Sequence, residues 1–145
     1  MLAFPVTMSR LTAYITIYEF WAGRLEAMLL EAKGCFEEAE NAYLNLLEDN
    51  PLDQIIHKRR VAMAKAQGDI LKAIEWLDKY LEIFMADHDA WRELAEIYVS
   101  LQMYKQAAFC YEELILAQPT VPLYHLAYAD VSSLLLLRIF LKQCL

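Results

Sequence analysis

Apolar residues recur along this chain at intervals of three and four, the spacing that places side chains on one face of an α-helix. The pattern is interrupted at Gly34 and Gly68, where glycine favours a turn. It predicts six helices, at about Ala22–Ala32, Phe36–Leu47, Leu52–Ala66, Ile70–Phe84, Asp89–Leu101 and Tyr104–Ala117. Asp53, Asp69 and Asp89 stand where a carboxylate oxygen can accept hydrogen bonds from the free amides of a helix start. We therefore predict an all-α fold.

A shift of 34 residues superimposes the chain on itself. Small residues in the second helix of each unit coincide, and so do the large residues four positions later. These positions are Ala39, Ala73 and Ala107, then Tyr43, Leu77 and Tyr111. The period divides residues 23–121 into three repeats, at about 20–53, 54–87 and 88–121. Residues 1–22 are a divergent N-terminal segment that we expect to be helical, and residues 122–145 begin a fourth repeat with a divergent leucine-rich tail.

The alternation of small and large residues indicates how these helices pack. Small Ala95 and Ala107 let two helix backbones approach closely, and larger side chains fill the space around them. The residues that we assign to repeat packing are Ala39, Ala73, Trp91, Leu94, Ala95, Tyr98, Ala107 and Tyr111. A single helical hairpin cannot cover its own apolar face, so we expect neighbouring hairpins to stack into a superhelix with a concave inner surface.

The third repeat carries a motif with its own spacing. The motif is W-x-x-L-A-x-x-Y from Trp91 to Tyr98, followed by A-x-x-x-Y from Ala107 and a closing Pro119. At a period of 34 residues it resembles the tetratricopeptide repeat family. The resemblance implies a right-handed superhelix of helical hairpins that binds other polypeptides. The other repeats depart from the family pattern at Glu26, Arg60 and Met85.

A closer resemblance covers Arg24–Val131, and its most specific part is the run from Asp87 to Pro119. This region is similar to plant-like members of the subunit 2 family of the endoplasmic reticulum membrane protein complex. The segments Met1–Ala22 and Ser132–Leu145 depart from that family, which indicates a truncated or alternatively spliced product, or an error in the gene model. A truncated product with no function of its own is one alternative that follows.

The resemblance implies a non-catalytic scaffold on the cytosolic face of the endoplasmic reticulum membrane. The expected partners are the other subunits of the endoplasmic reticulum membrane protein complex, which inserts transmembrane segments into the membrane. On this interpretation the chain is a peripheral membrane protein. It associates with the membrane through those partner subunits rather than through its own span.

Composition and charge favour helices and disfavour several partners. Hydrophobic residues make up 59% of the chain, with 3 Gly and 4 Pro, a balance that disfavours turn-rich β-structure and disorder. The formal net charge of -7 repels a phosphate backbone, so nucleic acid is not an expected partner. Cys35, Cys110 and Cys144 form no C-x-x-C pair, which indicates reduced thiols. The apolar tail from Leu134 is interrupted by Arg138 and falls short of the ~20 residues of a membrane span.

Six side chains are candidates for the wall of the concave groove: Lys58, Lys65, Asp89, Arg92, Glu96 and Val99. Lys58 and Lys65 share a helix face that suits an acidic peptide, although a solvated basic cluster is the slightly favoured alternative. The other four make a mixed-charge surface suited to an extended polypeptide. A competing function is a free-standing co-chaperone adaptor that binds peptides through a carboxylate clamp. The clamp positions hold Arg24 and Met28, and a methionine there argues against it.

No residue pattern indicates a catalytic site, a metal, a cofactor or a small-molecule substrate, so we predict that the chain is not an enzyme. His57 and His125 lie one period on either side of Trp91, and we assign them to the same packing position rather than to a metal site. His88 fits a capping turn. Neighbouring carboxylates in the second helices fit solvated faces. Three methionines are expected to fill the core: Met63, Met85 and Met103.

Overall fold

The structure is a computed structural model that describes residues 4–145, and side chains from Met8 onward. Every regular element in that range is an α-helix, which confirms the predicted fold class. The helices are α1 (Phe4–Ala32), α2 (Phe36–Asp49), α3 (Gln54–Ala66), α4 (Ile70–Ile83), α5 (His88–Ser100), α6 (Tyr104–Ala117) and α7 (Pro122–Gln143). The bounds of α2 to α6 differ from the predicted bounds by two residues at most, so the apolar spacing located these helices and their turns.

Aspartates cap the starts of three helices. Asp53 accepts hydrogen bonds from the amides of Ile55 and Ile56 at the start of α3, and Asp69 caps α4 in the same way. The cap of α5 is Asp87, which accepts from Ala90 N at 3.1 Å, so the prediction of Asp89 was wrong. An N-cap has extended backbone angles and precedes the first helical residue, whereas Asp89 already lies in the first turn of α5.

The turns after α1, α3 and α5 repeat the 34-residue period in their backbone angles. Gly34 has a φ of 80° and Gly68 a φ of 75°. Gln102, one period further on, has a φ of 58°, a left-handed conformation that is uncommon for a residue with a Cβ atom. The backbone therefore keeps the repeat geometry even where the sequence has lost the glycine.

The N-terminal segment is helical from Phe4, as expected, and it continues without a break into the helix predicted from Ala22, so the predicted boundary near Ala22 was wrong. Gly23, at the predicted boundary, lies inside the continuous helix. A Cβ atom on Gly23 would come within 3.1 Å of the Cδ2 atom of Leu46 in α2. This glycine thus permits a close approach of α2 and does not end α1. The part of α1 before Gly23 exposes large apolar side chains, namely Leu11, Tyr14, Ile15, Ile17, Tyr18 and Trp21.

Helices α1 to α3 belong to one compact unit that ends at Gln67. Within it α1 packs against α2, and α2 packs against α3. Ala27, Ala39 and Tyr43 are fully buried. The hydroxyl of Tyr43 donates a hydrogen bond to Glu31 Oε2 at 2.8 Å. Burial, followed by this hydrogen bond, raises the pKa of Tyr43 well above its ordinary value.

Helices α4 to α7 belong to a second compact unit that begins at Gly68. Within it α5 packs against both α4 and α6, and α6 packs against α7. Its buried core includes Ala73, Leu77, Tyr80, Leu94, Ala95, Ala107, Leu114 and Val131. The Tyr80 hydroxyl donates a hydrogen bond to the carboxylate of Asp87, which ties the end of α4 to the cap of α5.

Helix α7 is longer and more apolar than the sequence prediction allowed. It is the one helix in the described part of the chain that meets the length and composition of a membrane span, at 22 residues, and almost none of its apolar stretch is buried. The prediction that this segment is too short for a membrane span was wrong, because the helix begins at Pro122 and continues through the leucine run. Buried core helices and signal sequences pass the same test. Here α7 packs on α6, where Tyr128 donates to Glu112 at 2.8 Å and Arg138 donates to the carbonyl of Gln102.

Candidate protein-binding surfaces

The eight residues assigned to repeat packing divide into two groups. Those buried in the structure are Ala39, Ala73, Leu94, Ala95, Ala107 and Tyr111. Trp91 and Tyr98 are only partly buried, because both line an open groove on the second unit. The small alanines thus lie where helices meet, whereas two of the large aromatic residues face a surface that another molecule can reach.

The α5 candidates for partner binding form an exposed ladder of charge along one face of the helix. Arg92 Nη2 lies 3.1 Å from Asp89 Oδ1, and its Nε lies 3.9 Å from Glu96 Oε1. Val99, one turn further along, is partly buried. An arginine between two carboxylates on an exposed face retains hydrogen-bonding capacity for a polypeptide, since surface ion pairs of this kind are weak.

The basic cluster lies on α3 in the first unit. Lys58 and Lys65 are exposed on that helix. The two arginines between them pair with acids of the first repeat, Arg59 with Glu31 and Arg60 with Glu40, both at 3.6 Å.

Arg24, at a clamp position of peptide-binding tetratricopeptide domains, is buried and occupied. Its guanidinium forms an ion pair with Asp53, with side-chain exposures of 11% and 5%. The same group lies over the rings of Phe20 and Trp21, 5.1 Å and 4.8 Å from their centroids. A terminal carboxylate would have to displace Asp53, so the contacts of Arg24 disfavour the co-chaperone clamp.

The two histidines make the same contact one period on either side of Trp91. His57 Nε2 lies 2.9 Å from the carbonyl oxygen of Pro51, and His125 Nε2 lies 2.8 Å from that of Pro119. Each contact joins the fourth residue of a helix to the carbonyl six residues earlier. The two histidines therefore occupy the same position of the repeat, although His125 is exposed. No group of three His, Cys, Asp or Glu side chains with metal-binding geometry occurs among the described residues.

A long groove runs along α4, α5 and α6 within the second unit; we call it the α4–α6 groove. Its volume is about 900 Å³, and it is mainly apolar. The lining residues are Asp78, Leu81, Glu82, Met85, Trp91, Leu94, Tyr98, Lys105, Gln106, Phe109 and Cys110. Trp91 and Phe109 meet edge to face on its surface, with centroids 6.2 Å apart. The groove thus presents an apolar floor with charged groups on its walls.

The pKa values of titratable groups in the groove show that its floor is shielded from water. Burial, with a contribution from the Asp78 carboxylate, raises the pKa of the Cys110 thiol to about 12, so the thiol is neutral and unreactive. Burial also raises the pKa of Tyr98, and Asp78 adds to that rise. The pKa of Asp78 itself is raised by burial and by the nearby Glu82 carboxylate. Negative charge is therefore disfavoured along the α4 wall.

Sequence analysis missed the groove because its key side chains do not follow the repeat pattern. Met85, expected in the core, is 70% exposed, so that prediction was wrong, and Phe109 is 54% exposed. Met63 is fully buried as expected. The available signal was Phe109, a large apolar side chain at a position of α6 that the helical spacing assigns to the surface.

Comparison with known proteins identifies related sequences and folds. The family model described as "EMC2 TPR-like repeat domain" matches residues 10–145, a wider range than the likeness found in the sequence. The chain is 42% identical over 108 residues to ER membrane protein complex subunit 2 of Xenopus tropicalis, covering 74% of this chain and 36% of that protein. It is 40% identical over 98 residues to TPR repeat protein oca3 of Schizosaccharomyces pombe, covering 68% and 35%.

The chain spans about a third of the length of these curated relatives. Among solved structures, a tetratricopeptide repeat protein from Parabacteroides merdae superimposes with a TM-score of 0.62 at 16% identity, covering 79% of this chain and 45% of that one. At this identity the likeness shows the fold alone. The fold is that of tetratricopeptide domains, as the 34-residue period predicts.

Proposed function

Because the chain belongs to the EMC2 TPR-like repeat domain family, we propose that it is a scaffold subunit of the endoplasmic reticulum membrane protein complex. The match of the family model to residues 10–145 is the observation that carries this proposal. The relatives named as subunit 2 of that complex in Xenopus and in Dictyostelium discoideum, at 42% and 38% identity, support it. Within the chain we propose three repeats, at 20–53, 54–87 and 88–121, and the start of a fourth at 122.

The proposed role is non-catalytic and depends on surfaces that hold other chains. The exposed apolar side chains of α1 and α7 favour such a role, because isolated soluble domains rarely leave large contiguous apolar patches uncovered. We propose that partner subunits cover these surfaces on the cytosolic face of the membrane. In this position the chain would hold the cytosolic parts of its partners while the complex inserts transmembrane segments.

The proposed contact surfaces of the scaffold are the predicted ones on α5 and α3. The ladder of Asp89, Arg92 and Glu96 offers both donors and acceptors to an extended polypeptide. Lys58 and Lys65 offer positive charge to an acidic segment. Each surface is exposed, and contacts with charged surface groups set specificity and association rate more than affinity.

Affinity purification tests this proposal. A tagged chain expressed at low level should recover the other subunits from detergent-solubilised microsomes. The variant Asp89→Lys/Glu96→Lys should lose them because it reverses the charge of the α5 ladder. A matched control, Glu38→Lys/Glu48→Lys, makes the same change in net charge at exposed positions of α2, outside the proposed contact surfaces. If the wild-type chain recovers none of the subunits, the proposed function is wrong. Equal recovery of the subunits by both variants would show that the α5 ladder is not one of the contact surfaces.

A further inference from the structure

We propose that the α4–α6 groove is a docking site for an amphipathic helix of a partner protein, with lysine or arginine beside its apolar stripe. The groove faces away from the predicted α5 contact surface. Trp91, Leu94 and Tyr98 lie on one side of α5, and Asp89 and Glu96 lie about half a turn away around the helix axis. The inference therefore adds a second binding surface. This inference does not depend on the proposed function, because the partner protein need not be a subunit of the complex.

The backbone around the groove favours a helix over an extended strand as the occupant. All the lining residues except Met85 lie in α4, α5 or α6, where backbone groups bond along their own helices. The carbonyl of Met85 already accepts the indole N–H of Trp91 at 2.9 Å. An extended segment would find no ladder of donors and acceptors here, whereas a helix satisfies its own backbone.

The size and floor of the groove fit about two turns of helix. A volume of about 900 Å³ matches a cylinder about 10 Å wide and about 11 Å long, the dimensions of two helical turns. Phe109 and Met85 are exposed at the edge of the floor, and Trp91 lies edge-on to Phe109. Partly exposed aromatic side chains around an apolar cleft are the kind of group that anchors a helix at an interface.

The charged residues on the groove walls indicate which charges the bound helix carries beside its apolar stripe. Asp78 and Glu82 lie one turn apart on α4 and line the same wall. Neither forms an ion pair within the described part of the chain, and their mutual repulsion contributes to the raised pKa of Asp78. A cationic side chain from the partner would relieve this repulsion. Lys105 lies on the α6 side and complements an acidic residue on the opposite flank of the same helix.

Two designed peptides test the inference. Each is a helical 14-residue peptide with leucine at positions i, i+3, i+4 and i+7. In the basic peptide lysine flanks the stripe on both sides, and in the acidic peptide glutamate replaces each of these lysines. Fluorescence anisotropy with the full chain should show at least about fivefold tighter binding of the basic peptide. Binding of neither peptide, or equal binding of both, would overturn the proposal.

Variants locate the binding. Phe109→Ala should weaken the basic peptide about tenfold or more, whereas Leu116→Ala, a more exposed position on α6 outside the groove, should leave affinity unchanged. Glu82→Lys should reverse the preference between the two peptides, a change that partial unfolding cannot produce. Equal losses in both alanine variants would overturn the site. Self-association of the chain that Phe109→Ala abolishes would assign the groove to a second copy and overturn the proposed occupant.

Discussion

The indole Nε1 of Trp91 donates a hydrogen bond to the carbonyl oxygen of Met85 at a distance of 2.9 Å. The imidazoles of His57 and His125 lie equally close to the carbonyls of Pro51 and Pro119, one period on either side. One indole and two imidazoles thus contact the carbonyl oxygen at the same position of the repeat. The contact links the segment after one helix to the fourth residue of the next helix. A ring nitrogen is the property that these three positions share.

Removal of this ring nitrogen should destabilise the protein. We expect Trp91→Phe to lower the free energy of unfolding by about 1 kcal/mol, the net contribution of one hydrogen bond. Trp91→His restores a ring nitrogen, and the regained hydrogen bond should offset its smaller apolar area. It should therefore be no less stable than Trp91→Phe, as urea unfolding monitored by circular dichroism can measure. A Phe variant as stable as wild type would show that the bond contributes nothing.

The left-handed turn at Gln102 should be improved by glycine. Its φ of 58° costs a residue with a Cβ atom about 1 kcal/mol, and glycine loses part of that gain through greater freedom in the unfolded chain. We expect Gln102→Gly to raise the free energy of unfolding by roughly 0.5 kcal/mol and Gln102→Ala to give no gain. Thermal unfolding of the two variants makes the comparison.

Replacement of a turn glycine by alanine tests the same backbone conformation at an equivalent turn. Gly68→Ala should cost about 1 kcal/mol, even though a Cβ atom there would meet no atom within 4 Å. The cost would therefore come from the backbone angle alone. A neutral Gly68→Ala variant would contradict the strain that we assign to all three turns.

The buried ion pair of Arg24 and Asp53 should be among the most sensitive features of the first unit. Arg24→Met leaves a buried carboxylate without its partner and should cost about 3 kcal/mol. Asp53→Asn keeps an oxygen to cap α3 but also breaks the pair. Asp69→Asn, at a cap that is exposed, is the control and should cost far less. In a double-mutant cycle, the Arg24→Met/Asp53→Asn pair should lose less than the sum of the single losses.

Asp78 should make the protein less stable as the pH rises. Its pKa is raised in the folded state by burial and by Glu82, so the folded protein binds this proton more tightly than the unfolded chain does. The resulting stabilisation is lost as pH rises above the ordinary carboxyl value of about 3.9. Asp78→Asn should thus be more stable than wild type at pH 7, by roughly a few tenths of a kcal/mol because water screens a partly exposed group. The difference should shrink toward pH 4, as unfolding titrations at both pH values can show.

The sequence predicted the features that depend on local spacing and size. Ala39, Ala73 and Ala107 lie at zero exposure because only a small side chain fits where two helix backbones meet closely. The bounds of α2 to α6 follow from the same periodicity. One cap was misplaced by two residues, at Asp89 instead of Asp87, since aspartates on both sides of His88 give the same local signal.

The features that the sequence did not predict depend on contacts between helices. Gly23 resembles a helix breaker until Leu46 is seen at the position where its Cβ atom would lie. Arg24 resembles a ligand-binding cation until Asp53 is seen against it. Trp91 fits the core position of its motif, yet one side of its ring borders the α4–α6 groove. In each case the neighbour is distant in sequence or on another helix, so helical periodicity alone cannot identify it.

The most direct test of the scaffold function is amide hydrogen exchange of this chain, measured in two samples. One contains the chain alone, and the other contains the chain together with the complex purified from cells that lack this chain. Mass spectrometry should show slower amide exchange in α5 and in the first half of α6, with exchange in α2 unchanged. That result is expected if partner chains cover the α5 ladder and the α4–α6 groove. Unchanged exchange in every helix, with no co-migration on gel filtration, would contradict the account.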